Sequence, residues 1–491
     1  MLITKCKGLF LKVKNHKSIQ RIRESKYFDE DYYLQQNIDV KNAGIDPVSH
    51  YFYYGWEENR NPSKDFNTKE LLLSHPEIYV SNKNPILYVL DHHLEDELKS
   101  QVSVNSLINS YFRESQSLKT FPVKSENSRI NIVYNGFNKE CFFGGKATAL
   151  ILAVKFAQKY NYELRIISQN PERQIFNEFL ELFDIAFDGE VSFHSTESGQ
   201  NLEVSKKDHF ICTMWSNADS VLNTKTITGK IFYMMQEVET FFYDHGDYHL
   251  RCFNTLTSDS LIPIVNTKLL HDYFIAQGYN NVKDNGIYFE PAFSKRLLSP
   301  SKDSFKRKAK YKLFFYARPS HQRNLFYFGL DILNKAFLQG ILDAKEWEVY
   351  LAGDDKVENF AFDSKVKIQT LGVMGWKDYY NFASTVDLCY SMIYTPHPSY
   401  PPFDFVKSGA VVMTNKYANK QDLFKYSKNI ISAELNEKDM LEKFSEAIKL
   451  VKDTIRRKKN YESSNINDSW DKSFNEILPF MFDKIEEDRD V

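Results

Sequence analysis

Four stretches of this 491-residue chain carry side chains able to bind or convert a charged ligand. "PHPSYPPFDFVKSGAVVMTN" (Pro396 to Asn415) sets four prolines within seven residues, then an acid, a glycine and an apolar run. The prolines stiffen the loop while Ser399 and Tyr400 keep hydrogen-bond donors. A helix opening near Pro402 would turn its first amides toward an anion, with Asp404 in its first turn. An inert polyproline-like corner is the alternative. "FFYARPSHQRN" puts Arg318 and Arg323 after a strand pattern, where the planar guanidinium fork suits a diphosphate. Solvated arginines at a helix start would read the same way. In "NKECFFGGK", Gly144 and Gly145 separate a strand from a helix, so backbone could approach a ligand at the helix N-terminus. The spacing is not GxGxxG, so the dinucleotide fingerprint is absent and a plain tight turn stays open. "MMQEVETFFYDHGDYH" supplies Glu237, Glu239, Asp244 and Asp247, which could act as a base, hold sugar hydroxyls or cap a helix. His92, His93, His245 and His249 do not fall into a ligand spacing, so no metal is expected.

These residues need strands and helices to hold them. "INIVYNGF", a glycine loop, "ATALILAVKFAQKY" and "YELRIISQ" form a strand, loop, helix, strand series, which opens a doubly wound sheet. "DHFICTMW", "KIFYMMQ", "SLIPIVN" and "DNGIYF" continue it. After the charged stretch Ser301 to Lys312, a second series follows: "LFFYARP", "WEVYLAGD", "KIQTLGV", "DLCYSMIY" and "AVVMTN". Two such halves predict an α/β chain of paired Rossmann-like domains facing a cleft, with ligands beyond the carboxyl ends of the strands. Ahead of them, "FDEDYYLQQNIDVKNAGIDPVSHYF" from Phe28 realigns without a gap on "FNTKELLLSHPEIYVSNKNPILYVL" from Phe66, an offset of 38 residues. Each unit reads as a short helix, a polar turn and a second helix opening near a proline, and the pair as a small helical module. The tail "SWDKSFNEILPFMFDKIEE" reads as a closing amphipathic helix. The expected domains are a basic leader (1–27), the helical module (28–125), two Rossmann-like domains (126–300 and 301–460) and the closing helix (461–491).

Composition narrows the function classes. With 42% hydrophobic and 26% charged residues the chain is an ordinary globular protein. Its net charge of −2 favours no nucleic-acid partner. Five dispersed cysteines without CxxC spacing read as reduced and cytosolic. No run reaches the roughly 18 apolar residues of a membrane span, and the leader lacks the pattern of a secretory signal. Lys5, Lys7, Lys12, Lys14, Lys17, Arg21 and Arg23 interleave there with apolar residues, a mixture that suits an anionic membrane surface or simply a solvated segment.

From Ile130 to the C-terminus, "FFGGKATAL", "QEVE", "FYARP" and "PHPSYPPFDFVKSGAVVMTN" together resemble retaining GT-B glycosyltransferases of family four, in particular the WsaF-type rhamnosyltransferases of bacterial surface-glycan assembly. The 38-residue repeat is similar to a helical module found ahead of bacterial glycosyltransferases. The broader family carries a Glu, seven residues and a second Glu, with a glycine five positions later. Counted from Gly409, Asp404 takes the second position and Pro396 the first. The first acid is therefore missing, as in the WsaF-type group, and the second is one methylene short.

The resemblance implies Tyr316, Arg318 and the loop with Ser399, Tyr400 and Asp404 on the donor side, where the residue reading adds Arg323, and Gly144 and Gly145 facing the cleft from the acceptor domain. It implies Glu239 and His397 as the catalytic pair, with His397 or Ser399 at the donor sugar. It implies no metal or other cofactor, because Arg and helix-end amides neutralise the leaving diphosphate. The expected function is transfer of L-rhamnose from dTDP-L-rhamnose onto a glycan or lipid-linked glycan, in the cytoplasm or at the inner face of the membrane. A UDP-hexose donor is the nearest alternative. A non-catalytic glycan-binding or scaffold protein is the alternative of another class.

Overall fold

The computed structural model describes residues 15–75, 77–81, 83–92, 103–138, 144–354, 357, 360–364 and 366–487. They form two compact units, one ending at Tyr111 and the other beginning at Phe112. Lys5, Lys7, Lys12 and Lys14 of the leader, His93, and Phe142 and Phe143 of the glycine loop lie outside the described residues.

The first unit repeats its helices at the sequence offset. Glu30–Gln36, Ile38–Ala43 and Pro47–His50 recur as Thr68–Ser74, Glu77–Val80 and Pro85–His92. Each repeat therefore holds three short helices rather than two. The buried positions keep the same register: Tyr33 with Leu71, Val40 with Ile78, Val48 with Ile86 and Tyr51 with Val89. The caps repeat too. Asp29 accepts from the Tyr32 amide and Asn67 from the Glu70 amide, each satisfying a free donor at a helix start. Neither repeat could bury its apolar face alone, and the Tyr51 hydroxyl joins the two at 3.0 Å from Thr68 Oγ1.

The second unit opens with β1 (Thr120–Pro122), followed by β2 (Arg129–Val133), β3 (Glu163–Ser168), β4 (Val191–Ser195), β5 (Leu202–Val204), β6 (Asp208–Cys212), β7 (Ile231–Met235), β8 (Leu261–Asn266) and β9 (Ile287–Phe289). Seven of these form a parallel sheet in the order β4-β3-β2-β6-β7-β8-β9, and β1 pairs with β5 alone. That pairing, with the Leu118 amide on Thr224 Oγ1, ties residues from 112 onward to the sheet unit. The helical module accordingly stops short of the expected 125.

A second parallel sheet comprises β10 (Tyr311–Tyr316), β11 (Trp347–Ala352), β12 (Ile368–Thr370), β13 (Leu388–Tyr390), β14 (Val411–Asn415) and β15 (Ile430–Ala433), in the order β12-β11-β10-β13-β14-β15. Both are doubly wound. Chain order reverses between β2 and β6 in the first sheet and between β10 and β13 in the second, and ligands of such sheets lie beyond the strand ends at that reversal. Helices α1 (Gly145–Tyr160), α2 (Trp215–Leu222), α3 (Pro401–Lys407) and α4 (Ile477–Glu486) bear on the site. After the second half is complete, α4 returns to the first. Its Ile477, Met481 and Ile485 pack into the first sheet's core beside α1, and Phe482 stacks on Tyr160 at 4.3 Å.

Beneath the second sheet sits a fully buried ion pair. Arg457 contacts Asp387 at 3.2 Å and donates its Nε to the Gly409 carbonyl, tying the start of β13 to the end of α3. Asp387 also holds Lys308 Nζ at 2.8 Å, so Arg457→Leu removes one of its two cations and the donor to Gly409 and should cost about 1–3 kcal/mol. A urea midpoint equal to wild type at unchanged m-value would contradict this account of the domain.

Candidate active site

A cavity of about 670 Å³ opens where the two sheets' carboxyl edges face each other. From the first half it is lined by Gly144, Gly145 and Thr148 after β2, and by Gln236 and Glu237 after β7. The second half adds Tyr316, Arg318, His321 and Arg323 after β10, Gly353 and Asp354 after β11, and His397, Ser399, Tyr400 and Asp404 after β13. Phe314, Val373, Met374, Tyr379 and Tyr380 make an apolar and aromatic portion of the wall. Of the acids that the QEVE stretch and its continuation offered, Glu237 is part of this wall, whereas Glu239, Asp244 and Asp247 are not; the other site residues expected from sequence all line it.

Glu239 is 4% exposed and turned into the first half. It accepts from the Tyr233 hydroxyl and, at 2.9 Å, from the Trp215 amide, so it caps the start of α2. Burial pushes its carboxyl up to about 7. Glu237, two residues earlier, is the acid that reaches the cavity. It accepts from the Thr395 hydroxyl of the opposite half and lies 3.4 Å from Arg323 Nε. The 3-10 turn at Glu239–Phe242 separates the two fates, and the string QEVE alone does not distinguish them.

Both glycines face the cavity, and they also leave room for protein side chains. At Gly144, φ is +49° and an added Cβ would sit 3.2 Å from the Tyr400 ring; at Gly145 it would sit 2.5 Å from the Gln236 side-chain oxygen. They admit protein side chains to the cleft. Tyr400 crosses from the second half, where its hydroxyl accepts from Asn266 Nδ2 at 2.8 Å and shares a hydrogen bond with Thr148 Oγ1 at 2.6 Å. The loop that carries it is strained, with Ser399 at φ +68°.

Arg318 is held by a relay. Its Nη2 donates to His321 Nε2 at 2.8 Å, which leaves the proton of a neutral ring on Nδ1, facing Ser320 Oγ at 2.8 Å; Ser320 in turn donates to Asp354. Burial, with the two arginines, depresses the His321 pKa to about 4 and keeps the ring neutral. His397 is also neutral, its pKa pulled down to about 3 by burial and by Lys420. Its Nδ1 accepts from the Ser399 amide at 3.0 Å, so the proton sits on Nε2. That buried Nε2, like Arg318 Nε, has no hydrogen-bond partner among the described residues. Buried donors of this kind are normally satisfied, and here both belong to the cavity wall.

The WsaF N-terminal domain family matches residues 129–268 and the WsaF C-terminal domain family residues 311–445. The chain belongs to the WsaF-type glycosyltransferases of the GT-B fold. It is 27% identical to the O-antigen biosynthesis protein RfbC of Myxococcus xanthus over 241 residues, which is 49% of this chain but only 18% of that protein. Among solved structures, TarM superposes with a TM-score of 0.52 at 10% identity, covering 73% of this chain and 98% of that one. A glycosyltransferase from Rickettsia africae reaches a TM-score of 0.49 at 13% identity, over 74% and 99%.

Two outcomes follow for this WsaF-type chain. Tyr400→Phe removes both bridging hydrogen bonds and should lower stability by about 1–3 kcal/mol, read as a shift of the urea midpoint; an unshifted midpoint would deny the bridge any weight. Asp404 accepts from the Tyr379 hydroxyl at 2.9 Å, and burial raises its pKa from 3.8 to about 7. Between those values the folded state holds the proton more tightly, so its contribution to stability falls as pH rises from about 4 to about 7. Asp404→Asn, which cannot ionise, should therefore gain on wild type between pH 5 and pH 8. A constant gap across that range would refute the assignment.

Proposed function

We propose that the chain transfers a sugar from a nucleotide diphosphate donor to a glycan during surface-polysaccharide assembly, with L-rhamnose on dTDP as the first donor to test and with retention of anomeric configuration. The observation that carries this is a cavity at both chain reversals that combines Arg318 and Arg323 with an aromatic wall and a neutral histidine donor. The name of the Myxococcus relative, an O-antigen biosynthesis protein, supports the biological setting.

In this reading Tyr316 and the neighbouring rings take the base, and the two arginines take the diphosphate. The bond between the anomeric carbon and the phosphate oxygen breaks, a bond to an acceptor hydroxyl forms, and the hydroxyl proton ends on the departing diphosphate. Arginines fixed in advance meet the charge that develops on that leaving group, with no metal ion needed for the purpose. The Nε2–H of His397, donor-only in its present tautomer, would hold a sugar hydroxyl or phosphate oxygen at any pH above about 3. Such an enzyme would work on the cytoplasmic side, on a glycan or lipid-linked glycan.

Calorimetry with dTDP and with UDP tests the donor site directly. Arg318→Ala should weaken the preferred nucleotide about 10- to 150-fold, the worth of one charge-assisted hydrogen bond. A wild-type chain that binds neither nucleotide would overturn the reading, and a screen of dTDP- and UDP-sugars for nucleotide release would then identify the sugar if binding is found.

A further inference from the structure

We infer that the acceptor glycan docks on a strip of aromatic rings running outward from the cavity along both halves of the cleft. The first half contributes Phe241, Phe242 and Tyr273, the second Tyr394 and Tyr417. Phe241 meets Tyr273 at 6.4 Å and Tyr417 at 6.2 Å, and Tyr417 meets Tyr394 at 4.5 Å. The strip is continuous with the cavity through Arg323. That guanidinium lines the cavity and lies 4.4 Å from the centre of the Phe242 ring, and the Arg323 carbonyl accepts from the Tyr394 amide at 2.7 Å.

Phe241 and Phe242 are each 37% exposed and Tyr394 49%, although a fold with two well-filled sheets has room to bury rings. Large apolar groups gathered at one exposed place mark an interaction surface. Neighbouring rings stand steeply to one another, at 73°, 77° and 66°, so they form slots rather than a flat apolar plane. Three of the five carry phenols. Such a surface offers both ring faces and polar edges, matching a sugar, which has an apolar C–H face and a rim of hydroxyls. A bilayer would favour a flat and uniformly apolar face instead. The exposed Asp244 and Asp247, a few residues after Phe242, add acceptors for hydroxyls.

The inference rests on the transferase reading for its direction: the strip leads a chain of sugars to the end of the cavity where Glu237 and Arg323 meet. Binding can be measured by calorimetry on the full chain, with methyl and octyl α-L-rhamnoside and octyl β-D-glucoside as probes, alongside dTDP and UDP. The Phe241→Ala/Tyr394→Ala pair should bind the preferred glycoside at least about tenfold more weakly while keeping wild-type nucleotide affinity. Tyr394→Phe, which keeps the ring, should recover most of the loss, and thermal melting shows that each variant is folded. Unchanged glycoside affinity in the pair, or no glycoside binding by a wild type that binds nucleotide, overturns the strip. So does loss of binding to anionic phospholipid vesicles without loss of the methyl glycoside, which would make the rings a membrane contact. If glycoside binding depends on the rings but no nucleotide binds, the donor reading fails and the strip stands.

Discussion

Everything at the site depends on holding two sheet edges face to face, and the Tyr400 phenol is one of the contacts that do so at the cavity, beside those of Thr395 and Arg323 with Glu237. A ring fixed in the second half by the rigid Pro398 to Pro402 corner enters the first, where Gly144 leaves room for it and Thr148 and Asn266 take its hydroxyl. The prolines have a clear purpose in this arrangement. A flexible loop would lose entropy in placing one ring across a gap, whereas a loop with fixed φ angles loses much less. The same loop carries His397 and Ser399, so the element that joins the halves also sets the candidate donor contacts.

The electrostatics of the cleft follow from this closure. Burial drives Asp404 up to about 7 and, together with the Lys420 and Arg323 charges, His397 down to about 3, each toward its neutral form. Lys420, 1% exposed, is brought down to about 7 by the same desolvation, opposed by Glu237. The wall therefore sets groups driven toward neutrality, His397 and Asp404, beside Arg318, Arg323 and the carboxyls of Glu237 and Asp354. An anion entering such a pocket meets fixed cations in a water-poor environment, where the attraction is stronger than in water.

Sequence carried the strands well and the edges poorly. Buried parallel strands such as "KIFYMMQ" and "AVVMTN" are continuous apolar runs and stand out. β4, reading "VSFHS", is a half-exposed edge, and β15 is four residues long, so neither gives a recognisable period. The closing helix was legible as amphipathic, but the side chains that accept it lie some 300 residues earlier in the chain, around α1. Gly144 and Gly145 were legible as places where something comes close; that the something is Tyr400 and Gln236 depends on a contact between halves that no local pattern encodes. Glu237 and Glu239 share one string and differ only in which way a short turn points them.

That last difference bears on the acid missing at Pro396. The loop after β13 has no carboxylate of its own at the family's first acidic position. Yet Thr395, the residue immediately before it, donates its hydroxyl to Glu237 from the opposite half. A carboxylate is thus present beside that part of the loop, supplied by β7 of the first sheet instead of by the loop itself. Its position there depends on closure of the halves, and Arg323, the second cation of the cavity, pairs with it at 3.4 Å. A carboxylate built into one loop would stay with that loop whether the halves were together or apart. One supplied across the cleft is in place only when they are together, which couples the charge pattern around Arg323 to the contacts, Tyr400 among them, that hold the halves together.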